Sequence, residues 1–150
     1  MSGISIKRVS TKSELKDFVR FNYELYKDCP YAVPDFLEDT LNTFDAKSNA
    51  AFEFCDAEFF IAYRQGKIVG KVVAIINNRA NEKWNTKTVR FGWIDFVDDR
   101  EVSGMLLKAV EANCAPMAKY PAIKMRTTRQ VSCVSCASCV KMLTNTCGNR

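Results

Sequence analysis

The hydrophobic pattern is clearest over EFFIAYRQGKIVGKVVAII (58–76), where two apolar, strand-like runs flank RQGK and predict a β-hairpin. Gly70 inside the second run marks a bulge or a close backbone approach. Upstream, SIKRVS (5–10) alternates and is rich in β-formers, which predicts a first strand. Thr11 and Glu14 then stand at capping-box spacing, and Leu15, Phe18, Val19, Asn22, Leu25 and Tyr26 follow at helical spacing. That amphipathic helix stops at the DCP of 28–30. A short second helix is expected from Pro34, with Leu37, Leu41 and Phe44 on its apolar side. After the hairpin a polar loop, NNRANEKWNTK (77–87), leads to the strand TVRFGWIDFV (88–97). A helix then runs from about Arg100 to Ala112, with Val102, Leu106, Leu107 and Val110 as its apolar positions. No internal repeat is present.

Composition bounds the class. With 150 residues, 47% of them hydrophobic and 26% charged, the chain reads as one globular domain with a sizeable core. No run approaches the roughly 18 to 20 apolar residues of a membrane span. MSGISIKRVS lacks the apolar centre of a secretory signal, so the expected setting is cytoplasmic, with cysteines as thiols or ligands. The net charge of +5 divides unevenly. Residues 1–111 hold 16 Lys and Arg against all 17 Asp and Glu, whereas residues 112–150 hold six basic residues and no acid. Tyr120 is the sole aromatic of that basic stretch, which argues against a nucleic-acid partner, since single-strand grooves interleave aromatics for stacking.

Strand, two helices, hairpin, strand, helix is also the opening order of the GNAT N-acetyltransferase fold. NAAFEFCDAEFFIAYRQGKIVGKVVAIINNRANEKWN and VRFGWIDFVDDREVSGMLLKAVEA resemble a bacterial group within that superfamily, over roughly residues 4–112. The resemblance implies an α/β (α+β) chain: a GNAT-like acyl-CoA N-acyltransferase fold with a mixed, mostly antiparallel sheet flanked by helices. It implies acetyl-CoA as substrate and a small-molecule or peptide amine as acceptor. It places the pantetheine arm on the strand 88–97, whose distal end is Phe96–Val97. The pyrophosphate would sit on the helix start that comprises Arg100, Glu101, Val102, Ser103 and Gly104, where free N–H groups and the helix dipole favour anions. Asp95 is the best-placed carboxylate for a general base. A partly solvated strand position is the plainer reading of that residue, and Phe91 and Trp93, alternating with it, are expected to pack the core.

The turn departs from the superfamily's glycine-rich pattern. Aligned on Leu106–Leu107, Glu101 and Ser103 fall where glycines would let the backbone close around phosphates, and Gly104 comes one position late. An acid beside a pyrophosphate repels it. Asp98 and Asp99 read as helix N-terminal acids favoured by the dipole.

Beyond residue 112 the character changes, and residues 113–150 form a basic segment with five of the seven cysteines. AIKMRTT (122–128) is a candidate fifth strand, VSCVSCASCVKML (131–143) a candidate helix with Gly148 beyond its end, and no closing strands fit. The fold is therefore expected to be incomplete at the C-terminus, and the enzyme truncated and inactive. Cys133, Cys136, Cys139 and Cys147 admit three readings: a thiolate cage for zinc or an iron–sulfur cluster, a small-residue helix, or a tail translated out of frame. No metal ligand set is assigned. The alternative function is a non-catalytic binding module with a Cys-rich metal-binding tail. An unclosed sheet edge would favour a homodimer.

Overall fold

The computed structural model describes residues 3–86 and 88–114, and the backbone of 124–127. The order is β1 (Ile4–Arg8), α1 (Lys12–Leu25), α2 (Leu37–Thr43), a 3-10 turn (Ala50–Glu53), β2 (Cys55–Arg64), β3 (Lys67–Asn77), α3 (Asn78–Lys83), β4 (Thr88–Phe96), α4 (Arg100–Cys114) and β5 (Lys124–Thr127). The strands form one sheet in the order β1-β2-β3-β4-β5. The first four are antiparallel to their neighbours, and β5 joins β4 in parallel. The expected mixed, mostly antiparallel sheet with flanking helices is the one observed.

Each face of the sheet is covered. Phe60, Ala62, Val72, Ala74, Val89 and Phe91 pack against Val102, Leu106 and Val110 of α4. Phe18 and Val19 of α1, with Phe44 after α2, cover Ile61 and Val73 on the other side. Coverage on both faces is why β3 reads as a nearly unbroken apolar run rather than an alternation. Phe18, Phe44, Phe59 and Trp93 meet edge to face, with ring centroids 4.9–5.9 Å apart.

Local chemistry sets the element ends. The hairpin turns through Gln65 and Gly66, both at positive φ (51° and 77°), the signature of a type I′ turn. At the start of α1, Thr11 Oγ1 accepts the Glu14 N–H at 3.2 Å while Glu14 Oε2 accepts the N–H groups of Ser10 and Thr11. The predicted capping box is present. Lys7 first, then the Ser10 amide, hold the Glu14 carboxyl down at about 2, so the box's contribution fades as pH falls from about 4.5 towards 2. Thr11→Ala is expected to cost about 1 kcal/mol. In thermal unfolding that is a fall of about 2–4 °C for a chain of this size; an unchanged midpoint would show that packing alone holds the helix end.

Two expectations shift. The second helix begins at Leu37, not Pro34: the Tyr23 hydroxyl donates to the Asp35 carbonyl, which holds that stretch outside the helix. The polar loop 77–87 contains α3, started by Asn77, whose Oδ1 accepts the Ala80 N–H at 2.8 Å. The candidate fifth strand is present as β5, while the candidate helix 131–143 and Cys133, Cys136, Cys139 and Cys147 lie outside the described residues. No helix among the described residues is long and apolar enough to cross a membrane.

Candidate active site

The site begins with a fault in β4. Lys71 pairs with Asp95, but Val73 pairs with Gly92, so Trp93 and Ile94 together oppose Val72. One extra residue makes a β-bulge, and Trp93 adopts φ +45°, a conformation uncommon for a non-glycine residue. The bulge exchanges the faces. Before it, Val89 and Phe91 point to the α4 side; after it, Ile94 and Phe96 do. Trp93 instead joins the α1 side. Phe91 and Trp93 both pack core, as expected, but on opposite faces of the sheet, because a period-two alternation cannot pass through the inserted residue.

Asp95 now projects towards α1 and is not partly solvated: it is only 3% exposed. The Tyr26 hydroxyl at the end of α1 donates to Asp95 Oδ1 at 2.7 Å. Lys71 Nζ lies 3.7 Å from Oδ2 and 4.6 Å from the centroid of the Phe18 ring. Lys71 is itself 2% exposed. Burial pushes its ammonium down to about 8, against the opposing pull of Asp95 and Asp35.

Above this cluster opens a cavity of about 450 Å³, walled by α1 and the loop that follows it. Tyr26, Lys71 and Trp93 line it, whereas Asp95 stands one step behind the wall. Asn22 also lines the cavity, and its Oδ1 is buried with no hydrogen-bond partner among the described residues. A buried acceptor of that kind calls for a donor from elsewhere. Tyr31 and Val33 at the mouth are 79% and 89% exposed, which gives the cavity an apolar rim.

The predicted anion turn lies on the other face. Phe96 ends β4 opposite Gly70, and the Val97 N–H donates to the Val69 carbonyl at 2.9 Å. Arg100 and Glu101 are exposed in the first turn of α4, Ser103 and Gly104 are half-buried, and Val102 is fully buried in the core. The first turn is already capped. Asp99 Oδ1 accepts the Glu101 N–H at 2.8 Å, and the Asp99 carbonyl accepts the Ser103 N–H at 3.3 Å. Arg64, from the end of β2, pairs with Asp99 at 2.6 Å and lies 3.7 Å from Glu101. That guanidinium first, then the Glu101 and Val102 amides, hold the Asp99 carboxyl below the usual carboxylate range. Asp99 is thus a helix N-terminal acid, as expected. The structure gathers residues 100–104 at one turn and sets Asp95 apart on the opposite face.

Lys71 and Arg64 were not singled out from sequence, and Asn22 and Tyr26 were read only as helix positions of α1, not as site residues. Lys71 left a signal, being a lone charge inside VGKVVAII.

No family model matches the chain. Over 107 residues it is 31% identical to Protein YghO of Escherichia coli (strain K12), covering 71% of this chain and 27% of that protein. It is also 31% identical over 112 residues to the bacterial ceramide synthase of Caulobacter vibrioides (strain NA1000 / CB15N), covering 73% of this chain and 29% of that one. The chain therefore spans less than a third of the length of either curated relative. In three dimensions it superposes on an aminoglycoside acetyltransferase, meta-AAC0020, from an uncultured soil metagenomic sample, solved with sisomicin. The TM-score is 0.60 at 11% identity, over 96% of this chain and 87% of that one. The chain has the GNAT fold.

All four described β4–β5 pairs, Thr88↔Lys124 to Phe91↔Thr127, precede the bulge. Beyond the bulge, β4 has no strand partner on that side among the described residues. The α4 start does not fit the diphosphate: Asp99 takes the N–H groups that would receive it, and Glu101 adds a second negative charge.

Proposed function

We propose that the chain belongs to an N-acyltransferase that moves an acyl group from a thioester to an amine, with acetyl-CoA as the donor the fold implies. The carrying observation is the Tyr26–Asp95–Lys71 cluster at the floor of a cavity bordered by the β4 bulge. An amine reaches neutral water as an ammonium and must lose a proton before its nitrogen can attack. In this reading the neutral Lys71 amine takes that proton and the Asp95 carboxylate stabilises the ammonium that results. Tyr26 holds Asp95 in place. Asn22 Oδ1 accepts a hydrogen bond from the acceptor and orients it. In this reading the base expected at Asp95 is Lys71 instead, and Asp95 is a positioning residue that acts through Lys71 from behind the wall.

The apolar rim supports an acceptor with a hydrocarbon portion. So does the similarity to a ceramide synthase, since ceramide is an amide of a long-chain amine. The test is thiol release from acetyl-CoA and from S-acetyl-pantetheine, with short and long-chain amines. Amide formation should favour the long-chain acceptor and rise with pH through about 8. A folded chain that releases no thiol from either donor with any of the amines would sink the proposal.

A further inference from the structure

We infer that this chain draws no affinity from the nucleotide end of its acyl donor. The inference rests on the acyl-transfer reading above and concerns the donor it would accept. Its first support is that the anion position at α4 is already filled from within. The Asp99 carboxylate accepts the Glu101 N–H, and the Val102 amide also contributes to holding that carboxylate ionised. The Ser103 N–H is turned back to the Asp99 carbonyl. A diphosphate arriving there meets a carboxylate in its place.

The second support is charge. Asp98, Asp99 and Glu101 lie within four residues, and the guanidinium that faces them, Arg64, is engaged by both Asp99 and Glu101. Arg100 is exposed. Rearranging this cap to admit phosphates would strip Arg64 from a 2.6 Å pair.

The third support is that α4 has no room to retreat. Val102 and Leu106 are fully buried, and a Cβ placed on Gly70 would stand 2.9 Å from each of their side chains. The helix start is therefore clamped on the sheet on one side and tied to β2 by Arg64. Gly104, where a Cβ would meet nothing within 4 Å, lies half-buried past the capped turn.

Calorimetric titration with acetyl-CoA, S-acetyl-pantetheine and adenosine 3′,5′-bisphosphate tests this on the chain as it stands. The two thioesters should bind within about threefold of each other, and millimolar bisphosphate should not displace either. Raising the salt should leave acetyl-CoA binding unchanged or tighter, because the carboxylates of Asp98, Asp99 and Glu101 outnumber the cations Arg64 and Arg100 beside them. The double substitution Asp99→Ser with Glu101→Gly should tighten acetyl-CoA about tenfold or more while leaving S-acetyl-pantetheine unchanged. Acetyl-CoA binding tenfold tighter than S-acetyl-pantetheine, or displacement by the bisphosphate, would overturn the inference and leave the acyl-transfer reading standing. Binding of neither thioester would remove both.

Discussion

Asp95→Asn is expected to lower stability at pH 7 by about 3–5 kcal/mol, the range for removing one partner of a buried ion pair. For a chain of this length that is a fall of about 10 °C in the midpoint of thermal unfolding. The reason lies with Lys71 more than with Asp95. Burial already depresses the Lys71 ammonium to about 8, and the Asp95 carboxylate, by its charge and its hydrogen bond, does most to oppose burial. Without that carboxylate the ammonium must either stay charged in an apolar site or shed its proton at neutral pH.

The pH dependence identifies the cause. Lys71 titrates near 8 in the folded chain and at 10.5 when unfolded. Between those values the unfolded chain holds a proton that the native one lacks, so stability rises with pH across the window. In Asp95→Asn that rise should begin at lower pH, so the gap to the parent should narrow as pH rises towards about 8 and hold steady beyond it, where both chains carry a neutral Lys71 that needs no counter-ion. Adding Lys71→Met should then restore most of the loss, since the lone buried charge is gone. A loss below about 1 kcal/mol, or one that does not change with pH, would mean that Asp95 and Lys71 are not coupled as the geometry says.

The same pair marks the boundary of what could be read from sequence. Elements whose signal is local were legible. Thr11 and Glu14 announced α1, and RQGK between apolar runs announced the hairpin. The double meaning attached to Gly70 was also present, since the register shifts beside it and α4 touches it. What failed was anything that depends on where a strand points after an irregularity. FGWIDF alternates without a visible break, yet the inserted residue at the bulge turns Trp93 to one face and carries Asp95 to the Lys71 side. Tyr26 and Asp95 are 69 positions apart, and no spacing rule joins them. The α3 segment NRANEK has no apolar face to reveal it, and its one clue was the capping Asn77. At α4 the acids were legible as caps, but Arg64, their partner, sits 35 residues before Asp99 at the end of another strand.

Gly70 gives the second large effect, and a control within the same region. It lies where β3 passes beneath α4, opposite Phe96 on β4. A Cβ there would stand 2.9 Å from Leu106 Cδ1, 2.9 Å from Val102 Cγ1 and 3.0 Å from Phe96 Cβ. The leucine tip can swing aside. The Val102 side chain is stiff about its first torsion, and Phe96 Cβ is fixed to the strand backbone. Relief must therefore come from α4 lifting off the sheet, which would loosen the fully buried Val102, Leu106 and Val110 together. Gly70→Ala is expected to cost about 1–3 kcal/mol and Gly70→Val to fall at or beyond the top of that range. Gly104→Ala should do the reverse. Its Cβ meets nothing within 4 Å, it stands inside a helix, and exchanging glycine for alanine there should add up to about 1 kcal/mol. Chemical denaturation of the three variants decides the matter. Opposite signs at Gly70 and Gly104 confirm that α4 is seated hard against β3, whereas a neutral Gly70→Val would show that the helix stands further from the sheet than 2.9 Å allows.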